Sequence, residues 1–170
     1  MTHYPIFGGV EGCMAVNPSD TAPALVALNA KIVTSARTID AEDFWAADKG
    51  LKSTVLDDDE IATEIQIPEF SGKSAFVKFT LRSSIDFPIV NCAAAINGGS
   101  ARICLNAVFN TPYRATAAEE AIAGKSIDEA SAEAAGGEAV KDAMELYLSM
   151  NKYKIQIAKT LVKRAILACA

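Results

Sequence analysis

The run Cys13-Met14-Ala15-Val16-Asn17-Pro18-Ser19-Asp20-Thr21-Ala22-Pro23-Ala24-Leu25-Val26-Ala27-Leu28 constrains this chain more than any other stretch. An apolar strand pattern over about 12–16 leads straight into a helix start. Ser19 or Asp20 suits the cap, because a short side-chain oxygen accepts from the unpaired first N–H groups of a helix. Pro23 suits the first turn, where its missing donor costs little. A helix start also offers backbone donors and partial positive charge to an anion. Gly8-Gly9 upstream lets backbone approach a flat or charged ligand with no Cβ in the way. Taken alone, the junction is more often an ordinary strand-to-helix turn than a ligand site.

The following residues continue an alternating pattern: a helix over about 20–29, a strand over 30–35 and a brief helix over 40–46. The acidic run Leu56-Asp57-Asp58-Asp59-Glu60 divides the chain into 1–56 and 57–170. Beyond it, Ile61, Thr63, Ile65 and Ile67 alternate with Ala62, Glu64 and Gln66, the pattern of a half-buried strand ended by Pro68. Residues 74–82, 89–96 and 101–108 read as further strands, the last two joined by the hairpin turn Asn97-Gly98-Gly99-Ser100. The remainder reads as helical. One segment runs over 115–123 to a C-cap at Gly124. A second starts at Ser126 or Asp128 and is interrupted at Gly136-Gly137. A third spans 151–168.

That third helix has an apolar face of Ile157, Leu161, Val162, Ala165 and Cys169, and a basic face of Lys152, Lys154, Lys159, Lys163 and Arg164. A basic amphipathic helix suits an acidic partner or a membrane surface. Packing on the sheet with a solvated charged face is the more common use of the pattern, and no membrane contact is expected.

Composition narrows the function. At 170 residues the chain is long enough for one or two small domains with a real core. A net charge of −5 argues against nucleic acid, which needs a concentrated basic face. Cys13, Cys92, Cys104 and Cys169 show no Cys-x-x-Cys spacing and read as small buried residues, so no zinc or iron–sulfur site is expected. His3 is the one histidine. It excludes a multi-histidine metal site and reads as an exposed or strand-edge residue. No catalytic residue is expected. With no leader pattern and no 18-residue apolar run, the expected location is cytoplasmic.

A second pattern lies at Phe76-Val77-Lys78-Phe79-Thr80-Leu81-Arg82-Ser83-Ser84-Ile85-Asp86-Phe87-Pro88-Ile89-Val90. It joins Pro18-Ser19-Asp20, Glu42-Asp43-Phe44, Ile65-Gln66-Ile67-Pro68, Thr111-Pro112-Tyr113-Arg114-Ala115, Asn151-Lys152-Tyr153-Lys154 and Leu161-Val162-Lys163-Arg164-Ala165 in one ordered set. Together these pieces resemble the FAD-binding subunit of the xanthine dehydrogenase and carbon monoxide dehydrogenase flavoproteins, the molybdenum hydroxylases.

The resemblance implies an α+β fold. A remnant of an α/β FAD-binding subdomain over 1–56 precedes an antiparallel three- to four-stranded sheet packed with C-terminal helices over 57–170. It implies FAD as cofactor, with Gly8, Gly9, Ser19, Asp20, Ala62 and Lys78 at the flavin. Ala62 falls where relatives often carry a leucine. Without the resemblance, Lys78 reads as a strand lysine that snorkels to water. Arg82 and Asp86 have the spacing of an ion pair, and Arg114 reads as a loop anchor on a carboxylate or helix end. The molybdenum cofactor and iron–sulfur clusters belong to partner subunits, and electrons pass through FAD to NAD or another acceptor. The family's N-terminal subdomain, with its glycine-rich pyrophosphate loop, has no counterpart in the sequence. One wall of an FAD cleft is therefore expected, with poor FAD burial by this chain alone. The alternative is a cofactor-free structural or assembly module that docks partner subunits. In isolation, an unpaired sheet edge is expected to favour a homo-oligomer.

Overall fold

The computed structural model describes residues 4–10, 12–48, 52–145 and 150–170. His3 lies outside them. Helix α1 (Thr21–Ala27) is followed by strands β1 (Lys31–Thr34) and β2 (Thr38–Asp40), a single turn α2 (Ala41–Phe44), and the short pair β3 (Trp45–Asp48) and β4 (Lys52–Thr54). Then come β5 (Ala62–Gln66), β6 (Lys73–Phe79), β7 (Val90–Asn97), β8 (Ser100–Asn106) and β9 (Tyr113–Arg114). Helices α3 (Thr116–Ile122), α4 (Glu129–Ala139) and α5 (Lys152–Leu167) complete the chain.

All named strand pairs are antiparallel. The first sheet has the order β2-β1-β5 and the second β6-β7-β8-β9. The β5–β1 pairing carries the first sheet past the acidic run at 57–60. Every residue of β5 is exposed, against the half-buried strand its alternation suggests. It lies at the sheet edge, where Ile61, Ile65 and Ile67 all remain open to solvent.

The second sheet organises the rest, and the parity of its strands decides what each face meets. Val90, Cys92 and Ala94 of β7, with Ile103 and Leu105 of β8, join the core built with α3, α4 and α5. Ala93 and Ala95 on the opposite face of β7 pack against Ala27, with Ala24 and Leu28 alongside. Alanines on this face let α1 lie close to the strands. The turn Gly98-Gly99 joins β7 to β8 with both residues at positive φ, as a tight hairpin requires.

Several local readings change. Residues 12–16 form no strand: there is one isolated bridge, Val10 to Cys13. The Asn110 Nδ2 donates to the carbonyls of Cys13 and Ala15, doing what a neighbouring strand would do. The helix expected over 40–46 stops at Phe44, and Trp45 opens β3 instead. The strand expected to reach 82 ends at Phe79, so Arg82 and Asp86 pair from a loop rather than along a strand. Gly136-Gly137 does not interrupt α4. Gly136 is the contact point between α4 and α5, and Asp128 caps the helix through a reciprocal pair of bonds with Ser131.

The basic face of α5 is largely consumed internally. Lys163 bridges Glu129 and Glu133 of α4, Lys159 reaches Glu133, and Lys154 is fully buried. Among the described residues, no helix is long and apolar enough to cross a membrane.

Candidate functional site

Register builds the site. Lys78 of β6 lies opposite Asn91 of β7, which lies opposite Asn106 of β8. The three form one row across three strands, on the face turned toward α1. Above that row passes the turn Asn17-Pro18-Ser19-Asp20. The Lys78 Nζ donates to Asp20 Oδ2 at 2.5 Å and to the Asp86 carbonyl at 2.7 Å. The Asn91 Nδ2 donates to Asp20 Oδ1 at 2.9 Å and to the Ser19 carbonyl at 3.1 Å. The Asn106 Nδ2 donates to the same carbonyl at 2.7 Å and to Asn17 Oδ1 at 3.0 Å.

Ser19 and Asp20 divide their labour at the helix start. The Ser19 Oγ accepts from the Ala22 N–H at 3.0 Å. Asp20 occupies the cap position, yet its side chain makes no capping bond. Its carboxylate is turned to Lys78 and Asn91 instead. With α1 only seven residues long and its Ala22 N–H already taken by Ser19, an anion seat at this helix end is not supported.

Beside the turn lies a groove of about 350 Å³ lined by Pro18, Ser19, Asp20, Arg82, Ile85, Asp86 and Phe87. The Arg82 guanidinium pairs with the Asp86 carboxylate at 3.0 Å and holds that carboxyl below its usual range, chiefly by hydrogen bonding. Ile85 and Phe87 are both exposed. One apolar aromatic wall with a few charged groups suits a flat heteroaromatic ring with polar edges.

Of the residues singled out in the sequence, Ser19 and Asp20 line this groove and Lys78 joins them through Asp20. Gly8, Gly9 and Ala62 do not line it. Gly8 takes a positive φ, and a Cβ on Gly9 would collide with the Cys13 carbonyl. Ala62 sits on the exposed edge strand β5, opposite Thr34. Arg114 anchors as expected, bidentate to Glu119 and also on Glu42. Asn17, Asn91 and Asn106 went unassigned in the sequence. A signal for two of them exists: Asn91 and Asn106 are polar residues inside apolar strands, equidistant from the Gly98-Gly99 turn.

Fold and sequence now agree on a class. Residues 75–169 match the CO dehydrogenase flavoprotein C-terminal domain, and residues 8–70 match the FAD binding domain in molybdopterin dehydrogenase. The chain belongs to the CO dehydrogenase flavoprotein family. It is 30% identical over 125 residues to the aldehyde oxidoreductase FAD-binding subunit PaoB of Escherichia coli (strain K12), covering 68% of this chain and 39% of that protein. It is 29% identical over 120 residues to the glyceraldehyde dehydrogenase medium chain of Sulfolobus acidocaldarius, covering 65% of this chain and 42% of that one. The match thus spans about two fifths of the length of these curated relatives.

Carbon monoxide dehydrogenase from Hydrogenophaga pseudoflava, lacking the Mo-pyranopterin moiety of its molybdenum cofactor, superposes with a TM-score of 0.76 at 26% identity. The match covers 99% of this chain and 58% of that chain. Quinoline 2-oxidoreductase from Pseudomonas putida 86 shares the fold, with a TM-score of 0.75 at 24% identity over 99% of this chain and 57% of that chain.

The family implies FAD, and the residues present fit part of it. The aromatic-walled groove with its carboxylate and guanidinium groups suits the flavin ring system. The short helix α1, with its Ala22 N–H taken by Ser19, does not suit the pyrophosphate.

Proposed function

We propose that this chain forms one wall of the FAD site in the flavin-carrying subunit of a molybdenum hydroxylase. The observation that carries the reading is the Asp20–Lys78 ion pair beside an aromatic-lined groove. Asp20 and Ser19 face the flavin edge, and Lys78 holds the Asp20 carboxylate there through their ion pair. Gly8, Gly9 and Ala62 lie outside that groove, and their share in the reading is with parts of the cofactor beyond it. FAD, when bound, supplies the exchange between one- and two-electron transfer. This chain's part is to orient the ring, exclude water from one side and fix the charge around it.

In the assembled enzyme, electrons arrive from iron–sulfur clusters on one partner subunit and leave to NAD or another acceptor. The molybdenum cofactor and its substrate, a purine, an aldehyde or a related compound, belong to a second partner, as in xanthine dehydrogenase. Four free cysteines suit a reducing compartment, which supports the cytoplasm. Outside its assembly, the open edges of β5 and β6 favour pairing with a second copy, which light scattering reads directly.

The test is an FAD titration of the native assembly, followed by flavin absorbance, with wild type and K78A. Binding weakened about tenfold or more by K78A supports the reading. A flavin-free native assembly contradicts it and favours the second reading, a cofactor-free module that docks partner subunits. The observation on that side is the short helix α1, whose Ala22 N–H is already taken by Ser19.

A further inference from the structure

Asn91 and Asn106 are both fully buried, on the sheet face that packs against α1. Stability alone does not account for them. Each spends its Nδ2 on the turn, and among the described residues neither Oδ1 has a hydrogen-bond partner. A buried acceptor left unmet is costly, and a pair of apolar residues of like shape avoids that cost. The orientation of both amides is settled by chemistry, since the three atoms that receive their four bonds (Ser19 O from both, Asp20 Oδ1 and Asn17 Oδ1) are all acceptors. What the pair achieves is geometric. It ties the turn to the sheet at Asn17, Ser19 and Asp20, while Ser19 releases Asp20 from capping duty.

We propose that Asn91 and Asn106 are positioning residues that fix the Asp20 carboxylate and its Lys78 partner in the flavin wall, a proposal that rests on the flavin reading above. Asn91 acts directly, through the donor it presents to Asp20 Oδ1. Asn106 acts one step back, by clamping the Ser19 carbonyl and the Asn17 side chain. Neither touches the groove.

The isosteric variant N91D separates positioning from packing. It keeps the shape and replaces the donor with a second carboxyl 2.9 Å from Asp20. The charged groups around that position are Asp20 and Lys78, with the Asp86–Arg82 pair beyond the lysine. Like charge raises the pKa of an added carboxyl, and its protonated O–H donates to Asp20 as the amide did. FAD affinity of the native assembly carrying N91D is expected to fall about tenfold at pH 8 relative to wild type. It should recover toward wild type as the pH drops to about 5. N106A is expected to weaken FAD binding without that pH recovery. A ratio of N91D to wild-type affinity that stays at one, or that shows no pH dependence, overturns the proposal.

A crystal structure of N91A provides a readout independent of FAD. The expected result is an Asp20 carboxylate that has left Lys78; an unchanged pair overturns the proposal. If the wild-type assembly binds no FAD, the flavin reading falls, and this second measurement still decides the positioning role.

Discussion

Gly136 of α4 rests on the main chain of Lys159 in α5: a Cβ placed on the glycine lies 2.7 Å from the Lys159 carbonyl oxygen. Gly137, its neighbour, has open space where its Cβ would stand. G136A is therefore expected to push the two helices apart and cost about 1–3 kcal/mol. G137A adds a better helix former where nothing obstructs it and should gain about 0.5–1 kcal/mol. Urea unfolding of the two variants reads both signs; equal effects refute the packing role of Gly136.

Glu42 of α2 accepts from both Arg102 of β8 and Arg114 of β9, and Arg114 also holds Glu119 of α3. The Arg102 Nε further donates to the Val26 carbonyl at the end of α1. This network fastens the first sheet's neighbourhood to the second sheet. E42Q should cost about 0.5–1 kcal/mol, because two partly buried arginine side chains lose a shared charged partner. Denaturant midpoints check this, and an unchanged midpoint shows the network to be ornamental.

Glu60 has a nearly buried side chain held by the Thr34 hydroxyl, the Asp57 N–H and the Arg37 guanidinium, and these bonds pull its carboxyl down to about 2. A carboxyl depressed in the folded state stabilises above its ordinary value of 4.5, and that contribution drains away as the pH falls from there toward 2. Wild type should therefore lose thermal stability across this window more steeply than E60Q. Parallel melting curves for the two down to pH 2 are incompatible with the assignment.

Lys154 is lowered too, but by burial that disfavours its charged form rather than by bonds that favour it. Burial lowers its pKa from 10.5 to about 8 while its Nζ donates to the carbonyls of Tyr4 and Ala107. Between those two pH values the unfolded chain holds more protons than the folded one, so stability rises with pH across that interval. K154M should flatten that rise. Chemical denaturation at pH 8 and pH 10 measures it.

The long-range pairings were the hardest part to read from the chain. Alternation located the strand over 61–67, but pattern cannot say which strand it joins, and β5 pairs with β1, some thirty residues earlier. The hairpin at Gly98-Gly99 was legible because its turn chemistry is local. Gly136-Gly137 misled, since a helix glycine signals either a break or a close neighbour, and only α5 decides between them. Ordered motifs single out Asp20 and Lys78, and the structure pairs them directly. Asn91 and Asn106 escaped notice because a lone asparagine in a strand carries no meaning until the register sets it beside another.

β7 is covered on both sides, with α1 over its odd-numbered residues and α5 with its helical neighbours over the even ones. A single ply of backbone thus separates the flank that bears Asp20 from the bundle behind it. Nothing thicker insulates one from the other. Cys92 and Ala94 face the bundle while their chain neighbours Asn91 and Ala93 face α1, so the helical core and the row that holds Asp20 share one layer of main chain and have no spacer between them.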